Sequence, residues 1–432
     1  MTMVELDTPL IMLGQLDWLN WLAMFWFMII LEIPRYTLSG LAVLLSSLKR
    51  RSSPTTAERQ ALDRLTISVV IAGHNEADAI EKCLRSLREQ TRKIDEIIFI
   101  DDGSTDGMRE MINRYCQSGQ IDIALSNQVR SGKSASCNFG FTLAKGDIIV
   151  NLDADCSYDC DAIEKLIEPF TDPLVGATTG ALGVRNYGYS AVTSYQAIEY
   201  ITAIAMGKRA LDMLDLVVCA SGAFGAFRRE AINQVGLLAP GPGEDFDLTL
   251  RLRRSGWKVR FAGDSWCFTD TPATFKAIIR QRRRWDRDTI RTRMRKFRDA
   301  LHPGRRRFSL LETFEQVEWL VMNLLVTLVF PIYVAYLFLL FGNEAIYILL
   351  SVAVAYFILD IAGFSMALAI CRRYDSKMIV RIFPYLLTYG LYNGVFMRCV
   401  RLYAYFEEWV HRASTRDSYS PSRVSRQAHY IR

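Results

Sequence analysis

Between residues 66 and 170 the chain alternates short apolar runs with longer amphipathic ones. TISVVIA is followed by a helical pattern over 76–90, EIIFI by one over 106–117, IDIAL by one over 133–144, and DIIVNL by one over 159–170. Apolar runs too short for helices, alternating with helix-period segments, predict strands joined by crossover helices. The fold class is therefore α/β, with a mostly parallel sheet covered on both faces. In such open sheets ligands bind beyond the carboxyl ends of the strands, so the residues just after each run are the first candidates for chemistry.

The two ends of the chain have a different pattern. Residues 10–31 carry Asp17 as their only charge, residues 319–341 carry none, and residues 345–371 carry only Asp360. Each is long enough to span a hydrocarbon core of ~30 Å. The first lacks the basic flank and small-residue cleavage site of a signal peptide. Residues 382–397 form a shorter uncharged run, with Arg381, Arg398 and Arg401 at its ends; Pro384, Gly390 and Gly394 interrupt it, and it is expected to re-enter or lie in the interface. Asp360 is expected to face Tyr385, Tyr389 or Tyr392 of that segment. Lys49, Arg50 and Arg51 follow the first span, and Arg372, Arg373, Lys377 and Arg381 follow the third, whereas the 342–344 connection has no positive charge. Positive-inside bias places residues 49–318 in the cytosol and predicts a multi-pass protein of the cell (inner) membrane. The arginine-rich tail from His411 onward is expected on the cytosolic side by the same rule.

Composition narrows the partners. Half of the 432 residues are hydrophobic and the net charge is only +6, yet residues 279–298, IRQRRRWDRDTIRTRMRKFR, contain ten Arg or Lys against two Asp. The positive charge is thus a local feature. Nine scattered cysteines without a CxxC pair, and four histidines, argue against a zinc site or a disulfide framework. A basic stripe with aromatic residues could follow nucleic acid, but no nucleic-acid module occurs and both flanks are membrane-like. A transporter or other non-catalytic binding protein is the remaining rival.

The predicted strand ends carry GHNEAD, DDGSTDG and DADCS. One acidic strand end is ordinary turn chemistry. Three on one sheet edge, with DAD directly after DIIVNL, point to a hard divalent cation, Mg²⁺ or Mn²⁺, held by Asp153 and Asp155 and completed by substrate phosphates. A nucleoside diphosphate is the implied ligand. A transporter would need neither this pair nor the separate GED at 243–245.

Seven motifs in register, VVIAGHNE, IDDGSTD, RSGKSASCNFG, NLDADCS, ASGAFGAFRRE, PGEDFDLTLRLRRSGW and QRRRW, resemble those of the processive family-two glycosyltransferases of bacterial membranes, the hyaluronan, cellulose, chitin-oligosaccharide and poly-N-acetylglucosamine synthases. The resemblance covers residues 66–300 closely. It implies a nucleotide-sugar-binding glycosyltransferase A-type domain flanked by transmembrane helices. The corresponding divisions are an N-terminal transmembrane segment (1–48), a linker (49–65), the cytosolic catalytic domain (66–271), an amphipathic interface region (272–316), a C-terminal transmembrane region (317–410) and a basic tail (411–432). It further implies Asp102 on the uracil, Lys133 on the nucleotide, Asp153 and Asp155 on the metal and diphosphate, and Asp245 as general base. Gln281 and Arg284 would meet the donor pyrophosphate and Trp285 the acceptor sugar. For Asp101 and Glu244 a site role and a merely capping or orienting role both stand. The implied activity is inverting transfer from a UDP-sugar to a growing β-linked glycan, coupled to export. The GED and ASGAFGAFRRE segments favour UDP-N-acetylglucosamine over UDP-glucose. A non-processive transferase adding one sugar to a lipid is the alternative.

On a helix, Gln281, Arg284 and Trp285 share one face, while Arg280, Arg284, Arg287, Arg291, Arg295 and Arg298 form a stripe beside Ile279, Ile290, Met294 and Phe297. That pairing of stripes predicts contact with anionic membrane lipids as well as a diphosphate. With so few spans to build an export path, a homodimer or a helper membrane subunit is also expected.

Overall fold

The computed structural model describes residues 17–18, 25–26, 28–48, 54–302, 309–371 and 373–416. Its centre is an eight-stranded sheet in the order β3-β2-β1-β4-β7-β6-β8-β5. The strands are β1 (Ile67–Gly73), β2 (Glu96–Asp101), β3 (Ile123–Ser126), β4 (Ile148–Asp153), β5 (Ser157–Tyr158), β6 (Val175–Val184), β7 (Phe224–Arg228) and β8 (Lys258–Thr269). β1, β2, β3 and β4 run parallel, as their apolar runs predict; β7 enters antiparallel between β4 and β6.

Period-two alternation divides the buried residues between two cores. Val69 and Ile71 of β1, Phe99 of β2 and Val150 and Leu152 of β4 pack on one face with the helix Ala77–Arg88. Val70 and Ala72, Ile98 and Ile100, and Ile149 pack on the other, against the helices Lys133–Leu143 and Glu244–Arg254. Gly140 lets the first of these helices close on the sheet, since a Cβ there would stand 2.4 Å from Val70 Cγ1. Register then levels the strand ends: Gly73 pairs with Asp101, and Ala72 with Asp153. Three of the polar loops therefore open on one edge.

Part of the expected linker is helical. Thr56–Arg64 forms because Thr55 and Glu58 make a capping box, with Thr55 Oγ1 accepting from Glu58 N at 3.3 Å and Glu58 Oε2 from Thr55 N at 2.7 Å. The apolar run 10–31 falls largely outside the described residues. The described N-terminal apolar helix is Met28–Ser47, which with Leu310–Ile370 is long and apolar enough to cross a membrane. The second stretch is broken by the turn Gly342–Glu344, where Gly342 has φ +52°. Tyr333 and Leu337 before the turn and Ala345, Ile348 and Val352 after it share one cluster, so the stretch folds back as a hairpin.

Both ends of that hairpin meet the α/β domain. Glu312 pairs with Arg253 at 3.5 Å, and Glu315 with Arg293; after the hairpin, Arg373 reaches Asp159 at 2.7 Å and the Tyr374 ring packs edge-on against Trp266. From there to His411 the chain stays beside the same domain. Arg381 lies on Gly188, Tyr385 and Tyr392 meet Tyr195, Phe396 meets Phe275, and Arg401 approaches Asp286 at 3.6 Å. Asp360 faces this segment, 3.4 Å from where a Cβ on Gly390 would stand, and its Oδ2 has no hydrogen-bond partner among the described residues.

Candidate active site

The β1 and β2 loops interlock before any ligand is considered. Asn75, at φ +57°, donates its N–H to Ser104 Oγ at 2.9 Å and accepts from Thr105 N at 2.8 Å; Asp106 accepts from Ala77 N at 2.9 Å. Of the two carboxylates at the end of β2, Asp102 makes the more hydrogen bonds. It accepts from the Ser131 and Gly132 N–H groups at 2.7 and 2.8 Å, from Ser136 Oγ at 2.9 Å and from Asn127 Nδ2 at 3.1 Å. These bonds tie Asp102 to the 127–136 segment that delivers Lys133. Asp101 accepts from Ser104 N at 2.9 Å through Oδ1, while its buried Oδ2 has no hydrogen-bond partner among the described residues.

Asp102→Ala is accordingly expected to destabilise the domain by about 3–4 kcal/mol, with four donors losing their acceptor at about 1 kcal/mol each. Thermal unfolding measures this. An unchanged midpoint together with lost UDP affinity would return Asp102 to a direct contact.

The DAD pair closes β4, with Asp153 its last residue and Asp155 in the turn beyond. Asp153 Oδ1 accepts from Lys133 Nζ in a close ion pair. Gly222 separates that ammonium from the GED carboxylate: a Cβ there would lie 3.3 Å from Lys133 Nζ and 3.6 Å from Asp245 Oδ2. Only a residue without a side chain leaves that space open. The Gly222 shelf is fixed by Asn151 Nδ2, which donates to Gly222 O at 2.9 Å, and it donates its own N–H to Asp245 Oδ2 at 3.1 Å. Asp245 Oδ1 accepts from Phe246 N at 2.7 Å. The first turn of the helix Glu244–Arg254 thus presents Asp245 to the cleft.

Electrostatics tie these groups together. Burial opposes the Lys133 charge, but Asp153 and Glu244 hold its pKa well above the usual lysine value. Burial, then Asp245, pushes the Glu244 carboxyl up against the pull of Lys133 and Arg284. Burial raises Asp153 also, with Lys133 opposing and Asp155 adding to the rise. Glu76 is pushed up to about 8 by burial, then by Asp155 and Asp153, and its buried Oε2 has no hydrogen-bond partner among the described residues. A cluster so short of positive charge fits a divalent cation. Among the described residues no three His, Cys, Asp or Glu side chains enclose a metal by themselves, so further ligands must come from water or substrate phosphates.

The helix Phe275–Arg291 supplies the remaining predicted residues. Gln281 Oε1 is buried without a hydrogen-bond partner among the described residues, and the Arg282 guanidinium lies 4.5 Å from the Trp285 ring centre. The arginine-rich segment departs from the expected lipid-facing stripe, because much of it pairs with protein acceptors. Arg282 makes two 2.8 Å bonds to Glu199, Arg283 and Arg287 meet Glu407, Arg291 reaches Pro242 O, and Arg295 meets Glu408 at 2.9 Å. Arg280 and Arg298 are exposed. Glu199, Glu407 and Glu408 escaped sequence reasoning because they lie far along the chain, whereas Glu76 stood in the GHNEAD motif itself.

This geometry coincides with two family matches. Residues 68–236 match the family described as Glycosyl transferase family 2, and residues 241–413 that described as Chitin synthase. The chain carries a family-two glycosyltransferase domain. Poly-beta-1,6-N-acetyl-D-glucosamine synthase of Staphylococcus aureus (strain MSSA476) is 31% identical over 253 residues, which are 58% of this chain and 61% of that protein. The alignment therefore spans less than two thirds of that relative. The synthase of the same description from Staphylococcus epidermidis is 27% identical over 340 residues, 76% of this chain and 80% of that one. The fold of the family-two domain and its surroundings is also that of a mannosyltransferase from Pyrobaculum calidifontis, solved in complex with GDP-Man and Mn²⁺. It has a TM-score of 0.56 at 18% identity, over 84% of this chain and 96% of that one.

Proposed function

We propose that the chain is a membrane-bound, inverting and processive glycosyltransferase that extends a β-linked glycan from a UDP-sugar. UDP-N-acetylglucosamine is the preferred donor, which the poly-beta-1,6-N-acetyl-D-glucosamine synthase relatives support. The observation that carries the reading is the Lys133 ammonium and Asp245 carboxylate lying across Gly222, with Asp153 bonded to Lys133. A cation for the diphosphate and a proton acceptor for the incoming hydroxyl are side by side.

In this reading Asp245 takes the proton of the acceptor hydroxyl as its oxygen bonds to the anomeric carbon and the bond to the UDP oxygen breaks. Lys133 and Arg284 offset the charge on the departing diphosphate, with Gln281 beside them. Asp153 and Asp155 would hold Mg²⁺ or Mn²⁺, which supplies Lewis-acid stabilisation of the leaving group. Trp285 offers the acceptor sugar an apolar face. Asp102 acts through the loop it fixes. Release of the nucleoside diphosphate measured across UDP-N-acetylglucosamine, UDP-glucose and GDP-mannose tests the donor, with the first expected to dominate; turnover of GDP-mannose alone, read as GDP release, would contradict it.

The reading places the hairpin Leu310–Ile370 across the membrane and back, because both of its ends lie on the catalytic domain. Residues 376–411 then run along the domain at the interface without crossing. Glu408 supports this course: it binds Arg295 and accepts from Ser414 N at 2.8 Å, so the chain leaves His411 still attached to the catalytic side. The basic tail, which beyond residue 416 lies outside the described residues, follows on that side. A cysteine at Ser420 is expected to react with a membrane-impermeant maleimide only after cells are opened, and labelling of intact cells would restore a full crossing at 382–397. Two crossings after the domain are few for an export path, so completion by a second copy or a helper subunit is part of the proposal.

A further inference from the structure

The helix Phe275–Arg291 carries polar residues on two opposed faces. At 100° per residue, Gln281, Arg284, Trp285 and Asp288 gather on one side, and Arg283, Asp286 and Arg287 on roughly the opposite side. The first side abuts the GED loop: Asp288 Cβ is 3.2 Å from where a Cβ on Gly243 would stand, and Arg284 acts on the Glu244 carboxyl. The second side meets the helix Met397–His411. There Arg283 Nε donates to Glu407 Oε2 at 3.1 Å and its Nη2 donates to Oε1, while Arg287 Nη1 stands 3.9 Å from Oε2. The Arg283 guanidinium lies 4.7 Å from the Tyr403 ring centre, and Arg401 adds its contact with Asp286. Only 15% of the Glu407 side chain is exposed. One carboxylate thus joins two arginines on the back of the helix whose front carries Gln281 and Arg284.

We propose that Glu407 is a positioning residue: it fixes the roll of the helix Phe275–Arg291 so that Gln281 and Arg284 meet the donor diphosphate. This rests on the donor role proposed above for those two residues. Half-buried arginines that lose their counter-charge seek other acceptors or water, and the helix turns with them. A roll of about 10° moves a side chain about 5–6 Å from the axis by about 1 Å, enough to take a donor out of hydrogen-bond range of a phosphate oxygen.

The test uses the purified full-length chain with Mn²⁺, comparing Glu407→Ala, the same-shaped Glu407→Gln and Asp155→Asn with the parent. UDP release is followed against donor concentration, and UDP binding by calorimetry. Both Glu407 variants are expected to raise the donor KM and the UDP Kd by about tenfold or more, the loss of a hydrogen bond to a charged group, whatever part of the same contact is also lost from kcat. A residue that only supports the fold would reduce the active fraction, lowering kcat with KM and Kd unchanged, and that result overturns the proposal. Should Glu407→Ala fail to fold, Glu407→Gln carries the comparison. Loss of UDP binding in Asp155→Asn with Glu407→Gln unchanged removes the positioning role alone; unchanged binding in both removes the underlying reading of the site.

Discussion

Asp245→Asn is expected to bind UDP nearly as the parent does while kcat falls about 10²–10⁴-fold, the contribution of a positioned general base. The substitution keeps the shape, and the oxygen facing Gly222 N–H can remain an acceptor. What it removes is the basic lone pair. Lys133 and Asp153 stay in place, because their contact does not pass through the Asp245 carboxylate. The acceptor is a sugar alcohol of high pKa, so loss of the base weighs on the transition state and hardly at all on nucleotide affinity. Calorimetry with UDP and Mn²⁺ beside single-turnover transfer separates the two effects, and a parallel loss of both would move Asp245 from catalysis to binding.

Asp155→Asn should behave in the opposite way. Altering groups that merely orient a metal ligand costs about 10–100-fold in affinity, so removing a ligand's charge is expected to weaken Mn²⁺-dependent UDP binding by about 100-fold or more. Binding measured in EDTA should change little, because the nucleotide then relies on Lys133 and the helix Phe275–Arg291. An equal drop with and without Mn²⁺ would mean that Asp155 acts on the fold, where its Oδ1 accepts from Cys156 Sγ at 3.3 Å.

The alternating half of the fold was legible because its information is local. TISVVIA, EIIFI, IDIAL and DIIVNL became β1 to β4, and the candidate residues near their ends came together because parallel register levels those ends. The other half was not. β6, VGATTGALGV, has little period-two signal, since both its faces are buried and small residues accommodate Phe224 and Phe268. The Asp102 motif was visible, but the destination of its lone pairs was not, because the Ser131 and Gly132 N–H groups depend on a loop conformation. The arginine segment shows the same limit. Its charge was plain, whereas its counter-charges at Glu199, Glu315, Glu407 and Glu408 come from elements distant in sequence. Helical periodicity describes a face without saying what covers it.

Transfer itself provides the most direct measurement of the central claim. Purified full-length chain with Mn²⁺ and radiolabelled UDP-N-acetylglucosamine is expected to yield a ladder or high polymer of β-linked sugar that disappears in Asp245→Asn. A single labelled sugar on a lipid-soluble product, with no longer species at any donor concentration, would contradict processive synthesis.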